Sequence, residues 1–544
     1  MKKTNIIITI VILFASTLLH AQSHNEEVTV EGSFTPHIKK SERIIMNPEL
    51  PKHEFDIPDY QVNTKDFFYS YILDLEPISP VLYNNINTYD ITKNFVKAGI
   101  GTQLSPDFLF RHYSNLSKNM SLGIGVAHNS TWLQMKDHEP NTNYMNNDFN
   151  VSMNNRFSRF QLHSYIDYDY DMYHLNNGDD NDSRRDIHSL NVKLSANNNQ
   201  TSYKSVYNEF LLDYTYTGIT SGIQENLAKF KAHVEHSNSW FRNNDGIQTL
   251  AIDINADIDN INQTLFVIAA NPYLSFDGEY YKLHLGFRVD AKTNSTSLGG
   301  IYPDLKGSLY LFSRNVEFYA GLGGKTKINT LKEILEENPF IVSDMTNIGE
   351  FDYEKTKFDF KGGLRLKIMN RVSGHIGVRY RDIDNHLFYI SSMNETGTFD
   401  VILYDCNIFN FITDLQFKLQ DNFKLEAHLS WNKYDIISNK DRYIPAWYKP
   451  GLEVSFRGIY KINENWDVNM ATYIESDRYA LTPERNIEKM KPICDIQLGC
   501  DYKIQDNLSL YAEIKNLIHN KYQMYYGYPS YGFQAFLGFK YRFL

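Results

Sequence analysis

Residues 531–544 read YGFQAFLGFKYRFL, and the two faces of that run differ. Phe533, Ala535, Leu537, Phe539, Tyr541 and Phe543 are all apolar or aromatic. Gly532, Gln534, Phe536, Gly538, Lys540 and Arg542 are mostly small or polar. A period of two with one apolar face marks a β-strand lying between water and an oily phase. In a soluble sandwich that phase is a protein core; in a transmembrane barrel it is lipid.

The rest of the chain repeats the signal from about Phe95 onward. Leu250, Ile252, Ile254, Ala256 and Ile258 alternate with Thr249, Ala251, Asp253, Asn255 and Asp257. Leu283, Leu285, Phe287 and Val289 alternate with Lys282, His284, Gly286, Arg288 and Asp290, and 357–368 and 423–431 behave alike. Turn residues such as Ser158-Arg159, Asp277-Gly278, Glu464-Asn465 and Asp506-Asn507 join some strands tightly. Longer polar stretches near 132–146, 173–185, 291–299, 327–354, 435–447, 477–488 and 517–530 join the others. Short turns at one end and long loops at the other mark an outer-membrane barrel, with the short ends periplasmic. The expected fold is therefore all-β: a transmembrane antiparallel β-barrel spanning 94–544, of about 22 strands within a range of 16–22. The last strand is expected to pair with 508–516 and, at the seam, with the first strand near Phe95. The region 372–420 reads as two tall strands whose tips, near 386–390 and 399–403, stand above the membrane.

The N-terminus sets the compartment. Lys2 and Lys3 precede an apolar run from Ile6 to Leu19 and a small residue at Ala21, so 1–21 is read as a cleavable secretory signal. No later segment reaches the roughly 18 to 20 apolar residues of a membrane helix. Residues 22–93 are punctuated by Pro36, Pro48, Pro51, Pro58, Pro77 and Pro80, which rules them out as barrel wall. They are expected in the periplasm, in the lumen, or in both.

A formal charge of -11 with no basic patch excludes a nucleic-acid partner. The 39 Tyr and 34 Phe of this otherwise polar chain suit aromatic girdles around a polar lumen. Of the three cysteines, Cys406, Cys494 and Cys500, the last two lie six apart on one strand, on the face of Ile496 and Leu498, and read as lipid-facing filler. No GxSxG, HExxH or phosphate-loop pattern is present, so neither an enzyme nor a cofactor is expected. Thr330 and Glu333 form a capping box ahead of Ile334 and Leu335, which predicts a short helix stopped at Pro339. Asp179, Asp180 and Asp182 read as a solvated acidic loop, with a surface Ca²⁺ site as the alternative. Tyr522, Tyr525, Tyr526, Tyr528 and Tyr531 read as membrane-interface tyrosines, with ligand stacking as the alternative.

The late chain runs from Asn507 through Asn516, Leu517, Ile518, Lys521 and Tyr522 to Tyr528, Gly532 and the terminal strand. That hairpin resembles the closing hairpin of TonB-dependent receptors, a family of 22-stranded barrels. Glu26, Glu27, Val28, Thr29, Val30, Glu31 and Gly32 resemble the family's TonB box. The resemblance implies an outer-membrane receptor of a Gram-negative bacterium that binds or passes a solute, with outer-membrane lipid around it and TonB as a periplasmic partner. It departs from the family in length, since only about sixty residues, Ser33 to Lys93, stand where the family carries a full plug domain. It therefore looks like the reduced barrels that lack a full plug. The alternation of Val28 and Val30 with Thr29 and Glu31 suits strand addition to a periplasmic protein. An alternative function is a non-transporting scaffold whose N-terminal arm holds another envelope protein.

Alternation also assigns lumen-lining candidates. Lys357, Arg365, Lys367, His375, Arg379 and Arg381 form a basic wall, and Asp167 and Asp169 belong to an acidic one. Such walls select permeants in channels, and the competing reading is that they pair with each other across a wet lumen or with the folded-in N-terminal segment.

Overall fold

The structure, a computed structural model, describes residues 94–543 apart from 134–142, 177–183, 199–205, 241–245, 293–298, 344–352, 369–370, 420–421 and 438–442. The signal-like segment 1–21, the TonB-box-like residues 26–32, the whole Pro-punctuated segment and Asp179, Asp180 and Asp182 lie outside the described residues.

Twenty-two antiparallel strands form one closed sheet, from β1 (Asn94–Gly101) to β26 (Gln534–Phe543). Two small hairpins, β20 (Arg478–Leu481) with β21 (Ile487–Met490) and β24 (Gln523–Tyr525) with β25 (Tyr528–Pro529), stand outside the ring. β26 pairs on one side with β23 (Leu508–Lys515), Leu510 opposite Phe539. On the other side it pairs with β1, Val96 opposite Tyr541, and this seam removes the last free sheet edge. The terminal strand starts at Gln534, three residues later than its alternation suggests, because Tyr531 to Phe533 still belong to the loop.

Alternation sorts the side chains as lipid and water require. On β11 (Tyr281–Lys292), Leu283, Leu285 and Phe287 are exposed on the outer surface. Between them His284 turns inward to Asp304, 2.6 Å away. Leu537, Phe539, Tyr541 and Phe543 do the same on β26 while Phe536 is buried. Exposed Phe157, Phe160, Tyr280, Phe312 and Trp466 cluster by the short turns, as a girdle at one membrane interface should. Among the described residues no helix is long and apolar enough to cross a membrane, so the strands do the crossing.

Not every connection at the long-loop end is long. β7 (Val206–Ile219) and β8 (Gln224–Asn238) are joined across 220–223. β9 (Ile247–Ile261) turns into β10 (Gln263–Asp277) through Asn262 alone. Asn262 takes φ 52°, a left-handed conformation that Asn tolerates better than most residues. The outward belt of these strands ends at Ala228 and Ile258, and exposed Asn226 and Asn260 follow. The tall pair is present as β15 (Val372–Ser391) and β16 (Phe399–Lys418), each 20 residues long. Helix α1 (Leu331–Glu337) is also where the capping box puts it, Thr330 accepting from the Glu333 amide.

Candidate functional site at the outer mouth

The lumen wall is built from paired charges. Arg379 forks onto Asp359 at 2.7 and 2.6 Å, both from the inner face of neighbouring strands. Arg365 Nη1 donates to both Glu317 carboxylate oxygens, at 3.2 and 3.1 Å, and the guanidinium stacks 4.1 Å from the Tyr319 ring centre. His375 meets the Tyr319 hydroxyl at 2.6 Å and Asp414 at 3.0 Å, and Asp414 also meets His428 at 2.6 Å. Arg381 faces Asp359 across the ladder, and Lys367 is exposed near the periplasmic turn.

Lys357 is a correction. β14 (Tyr353–Ile368) bulges between Thr356 and Phe358, so Lys357 is the unpaired residue. It reaches Asp382 at 3.2 Å and Asp384 at 2.8 Å, on the same outward face as Phe358 and Tyr380. Strict alternation had assigned it to the lumen, and one extra residue reverses that. Asp167 and Asp169 on β5 (Phe160–His174) face inward, since Ile166 and Tyr168 are exposed outward. The structure adds Asp148 from β4 (Tyr144–Arg156), and the three carboxylates approach within 4.8 Å. Asp148 was missed because the β4–β5 register, which sets it opposite Asp169, is not written in either strand alone.

The outer mouth holds the largest apolar core of the described residues. Ile219, Ile223, Ile261, Leu331, Ile334, Ile341, Ile383, Phe388, Tyr389, Phe399, Trp447, Tyr448 and Tyr525 pack there, most of them fully buried. They come from the ends of strands and from loops all around the ring, so this core is a roof over the barrel. Strands about 4.8 Å apart and tilted by roughly 40° give a ring of this size a diameter on the order of 40 Å. Bridging it takes elements from opposite sides.

Those elements can be followed one by one. Gly397, between β15 and β16, comes so close to Asn176, after β5, that a Cβ on it would lie 2.0 Å from the Asn176 carbonyl oxygen. These hairpins stand ten strands apart in a ring of 22, almost diametrically opposed. The Tyr528 hydroxyl donates to the Gly397 carbonyl and accepts from the Asn176 amide at 3.1 Å, and Asn176 Nδ2 donates to the Gly527 carbonyl at 3.0 Å. Three loops thus meet over the lumen.

The α1 loop is the crossbar. The Phe399 amide donates to the Phe340 carbonyl and the Val342 amide to the Phe399 carbonyl, both at 3.0 Å. Arg185 of β6 (Arg184–Asn198), 2% exposed, donates to the carbonyls of Pro339 (3.1 Å) and Ile341 and to Ser343 Oγ (2.7 Å), with Glu395 at 3.6 Å. Lys449 donates to Glu337, and the Tyr525 hydroxyl donates to the Glu337 carbonyl at 2.6 Å. Phe340 stacks on Tyr528, ring centres 3.7 Å apart. Burial holds the Tyr448 and Tyr528 phenols above their ordinary range, so both stay neutral, and Tyr528 remains a donor. Tyr525, Tyr526 and Tyr528 are therefore not membrane-interface residues: the loop folds inward and seats them in or against the roof, while Tyr522 is buried beside Asp495.

No protein-family model matches the sequence, and no curated protein sequence does. Solved structures do match the fold. The chain is similar to the copper transporter OprC, at 14% identity, TM-score 0.58, covering 83% of this chain and 80% of that one. It is similar to Pseudomonas aeruginosa FpvA, solved with a bound ferric pyoverdine, at 11% identity and TM-score 0.62, covering 83% and 71%. It is similar to the ferric-catecholate import receptor Fiu of Escherichia coli K12 at 9% identity and TM-score 0.62, covering 83% and 82%. The fold is that of the TonB-dependent receptor barrels. A closed barrel of 22 strands with an outward apolar belt is the form that crosses a Gram-negative outer membrane. What the sequence does not announce in this fold is the roof, because loop packing carries no periodic signal.

Proposed function

We propose that the chain is an outer-membrane receptor barrel that binds a solute and mediates its passage, and that it is not an open diffusion pore. The observation that carries this reading is the roofed mouth, where loops from opposite sides share one buried core. Each large apolar side chain in such a core contributes about 1.5–3 kcal/mol, so lifting the whole roof at once is out of thermal reach. Passage then requires a local rearrangement of the roof driven by ligand or by a periplasmic partner. TonB is the partner the box-like residues 26–32 suit, and Arg365, His375, Arg379, Asp167 and Asp169 are the wall a permeant would meet below the roof. Iron and copper cargo belong to the similar structures and are not assigned here.

The same closed roof also favours a second reading, a non-transporting scaffold that holds an envelope protein through its N-terminal arm. Photo-cross-linking from Val28 and Val30 in cells separates the two. Capture of TonB supports energised passage. Capture of a different envelope protein, with none of TonB, supports the scaffold and overturns the transport reading.

A further inference from the structure

Two carboxyl groups are buried together where the crossbar meets the barrel rim. Glu225, near the start of β8, is fully buried and accepts from the backbone amides of Leu331 at 2.5 Å and Lys332 at 3.4 Å. Asp259, near the end of β9, is also fully buried, and neither of its oxygens meets a well-aligned donor. The two strands are neighbours and Asp259 lies opposite Leu227, two residues along from Glu225, so the two carboxyls share one inward face as diagonal neighbours on the ladder. Both stand at the outer rim, level with or above the end of the outward apolar belt. Two carboxylates cannot both stay ionised in a dry contact, and a carboxyl with no donor of its own becomes one by taking up a proton.

We propose that Glu225 and Asp259 share a single proton, and that this proton sets how firmly the α1 loop is fastened over the mouth. The proposal rests on the reading of the roof as the part that must rearrange. With the proton in place, Asp259 donates to Glu225, the pair carries one negative charge, and Glu225 holds the first amides of α1. Losing the proton to water leaves two charges in contact, and the favourable response is for the loop to lift and let water in. The surrounding groups do not cancel this. Lys229 on β8 is the cation that acts on both carboxyls, Glu333 on α1 and Asp257 on β9 add negative charge, and β10 presents apolar Leu265 opposite Asp259. Lys332 is engaged by Asp169 and Glu336, each at 3.9 Å.

The sign follows from linkage. Burial and the neighbouring Glu225 raise the Asp259 carboxyl above its ordinary range, so the fastened loop holds a proton that the lifted loop releases. Fastening is strongest at or below the ordinary carboxylate range, about pH 4, and weakens as pH rises to the raised value. For one proton the opening constant increases by at most about tenfold per pH unit across that window.

Hydrogen exchange of the full-length protein in lipid nanodiscs, followed by mass spectrometry from about pH 5 to about pH 9 and corrected for intrinsic exchange, reads this directly. In the unmodified protein, peptides covering 331–337 should show an opening constant that climbs with pH and then levels. In Asp259→Asn, which keeps the size and supplies a permanent donor, the climb should vanish while low-pH protection remains. Glu225→Gln should flatten it too, and Glu333→Gln should leave it in place. A flat profile in the unmodified protein, or an undiminished climb in both Asp259→Asn and Glu225→Gln, overturns the proposal. Heat-modifiable mobility on gels checks that each variant forms the barrel, so either substitution suffices if the other fails to fold. A scaffold outcome in the cross-linking experiment leaves the exchange profile untouched, so the two readings fail separately.

Discussion

Arg185→Ala is the perturbation with the sharpest consequence. The side chain is 2% exposed and serves two backbone carbonyls, a hydroxyl and a carboxylate of loops on other parts of the ring. Removing it leaves the Pro339 and Ile341 carbonyls buried without their donor and Glu395 without its cation. Hydrogen bonds to a charged group contribute about 1.5–3 kcal/mol each, and breaking a buried charged network costs about 3–5 kcal/mol. At about 1.4 kcal/mol per decade, the crossbar should open on the order of 10² to 10³ times more often. The amides of Val342 and Phe399 report it, because each bonds the other loop's backbone and exchanges only when the two part. Hydrogen exchange should accelerate there by that factor while the wall amides of β10 and β11 stay protected. Arg184→Ala is the control: its side chain is half exposed and pairs with Asp186 at 2.7 Å, a contact with about 0–1 kcal/mol of effect. Unchanged exchange at Val342 and Phe399 would refute the crossbar, and so would equal acceleration in the wall, which would mean that the roof and barrel unfold as one.

Further outcomes follow from single contacts. Gly397→Ala places a Cβ against the Asn176 backbone at a residue with φ 77°, so the two opposed hairpins must part; a disulfide scan between 176 and 397 neighbours should lose its cross-link while barrel yield is kept. Phe399→Ala empties a site 1% exposed among Tyr448, Tyr525 and Tyr528, costing about 3–5 kcal/mol of roof stability, to be read as faster proteolysis of 338–343. Leu285→Arg puts a charge on the lipid face at about 2–4 kcal/mol and should reduce assembled barrel, whereas Lys282→Gln, on the alternate face, should not.

The wall was legible because its physics is periodic. Leu283, Leu285 and Phe287 announce a lipid face by spacing alone, and Leu510 with Phe539 shows two such faces meeting at the expected pair. Thr330 and Glu333 announced α1 because a cap is local chemistry. The roof was not legible. Phe388, Phe399, Tyr448 and Tyr525 come from four separate segments, and nothing in any one of them states that the others lie against it. The same applies to Asp148, which joins Asp167 and Asp169 through ladder register. Lys357 failed for a different reason, since a bulge breaks the alternation on which the assignment depended. Charges along the wall, such as Arg379 with Asp359 and His375 with Asp414, pair between neighbouring strands rather than across the lumen, which alternation within one strand does not state.

The central claim is that the barrel's own outer loops roof its mouth. Planar-bilayer conductance of the chain lacking residues 24–93 tests it most directly. The roof predicts no steady conductance from that truncated chain, and rare openings that become frequent when Arg185→Ala is added. A steady, wide-pore conductance on removing 24–93 alone would contradict it, because the mouth would then have been open all along.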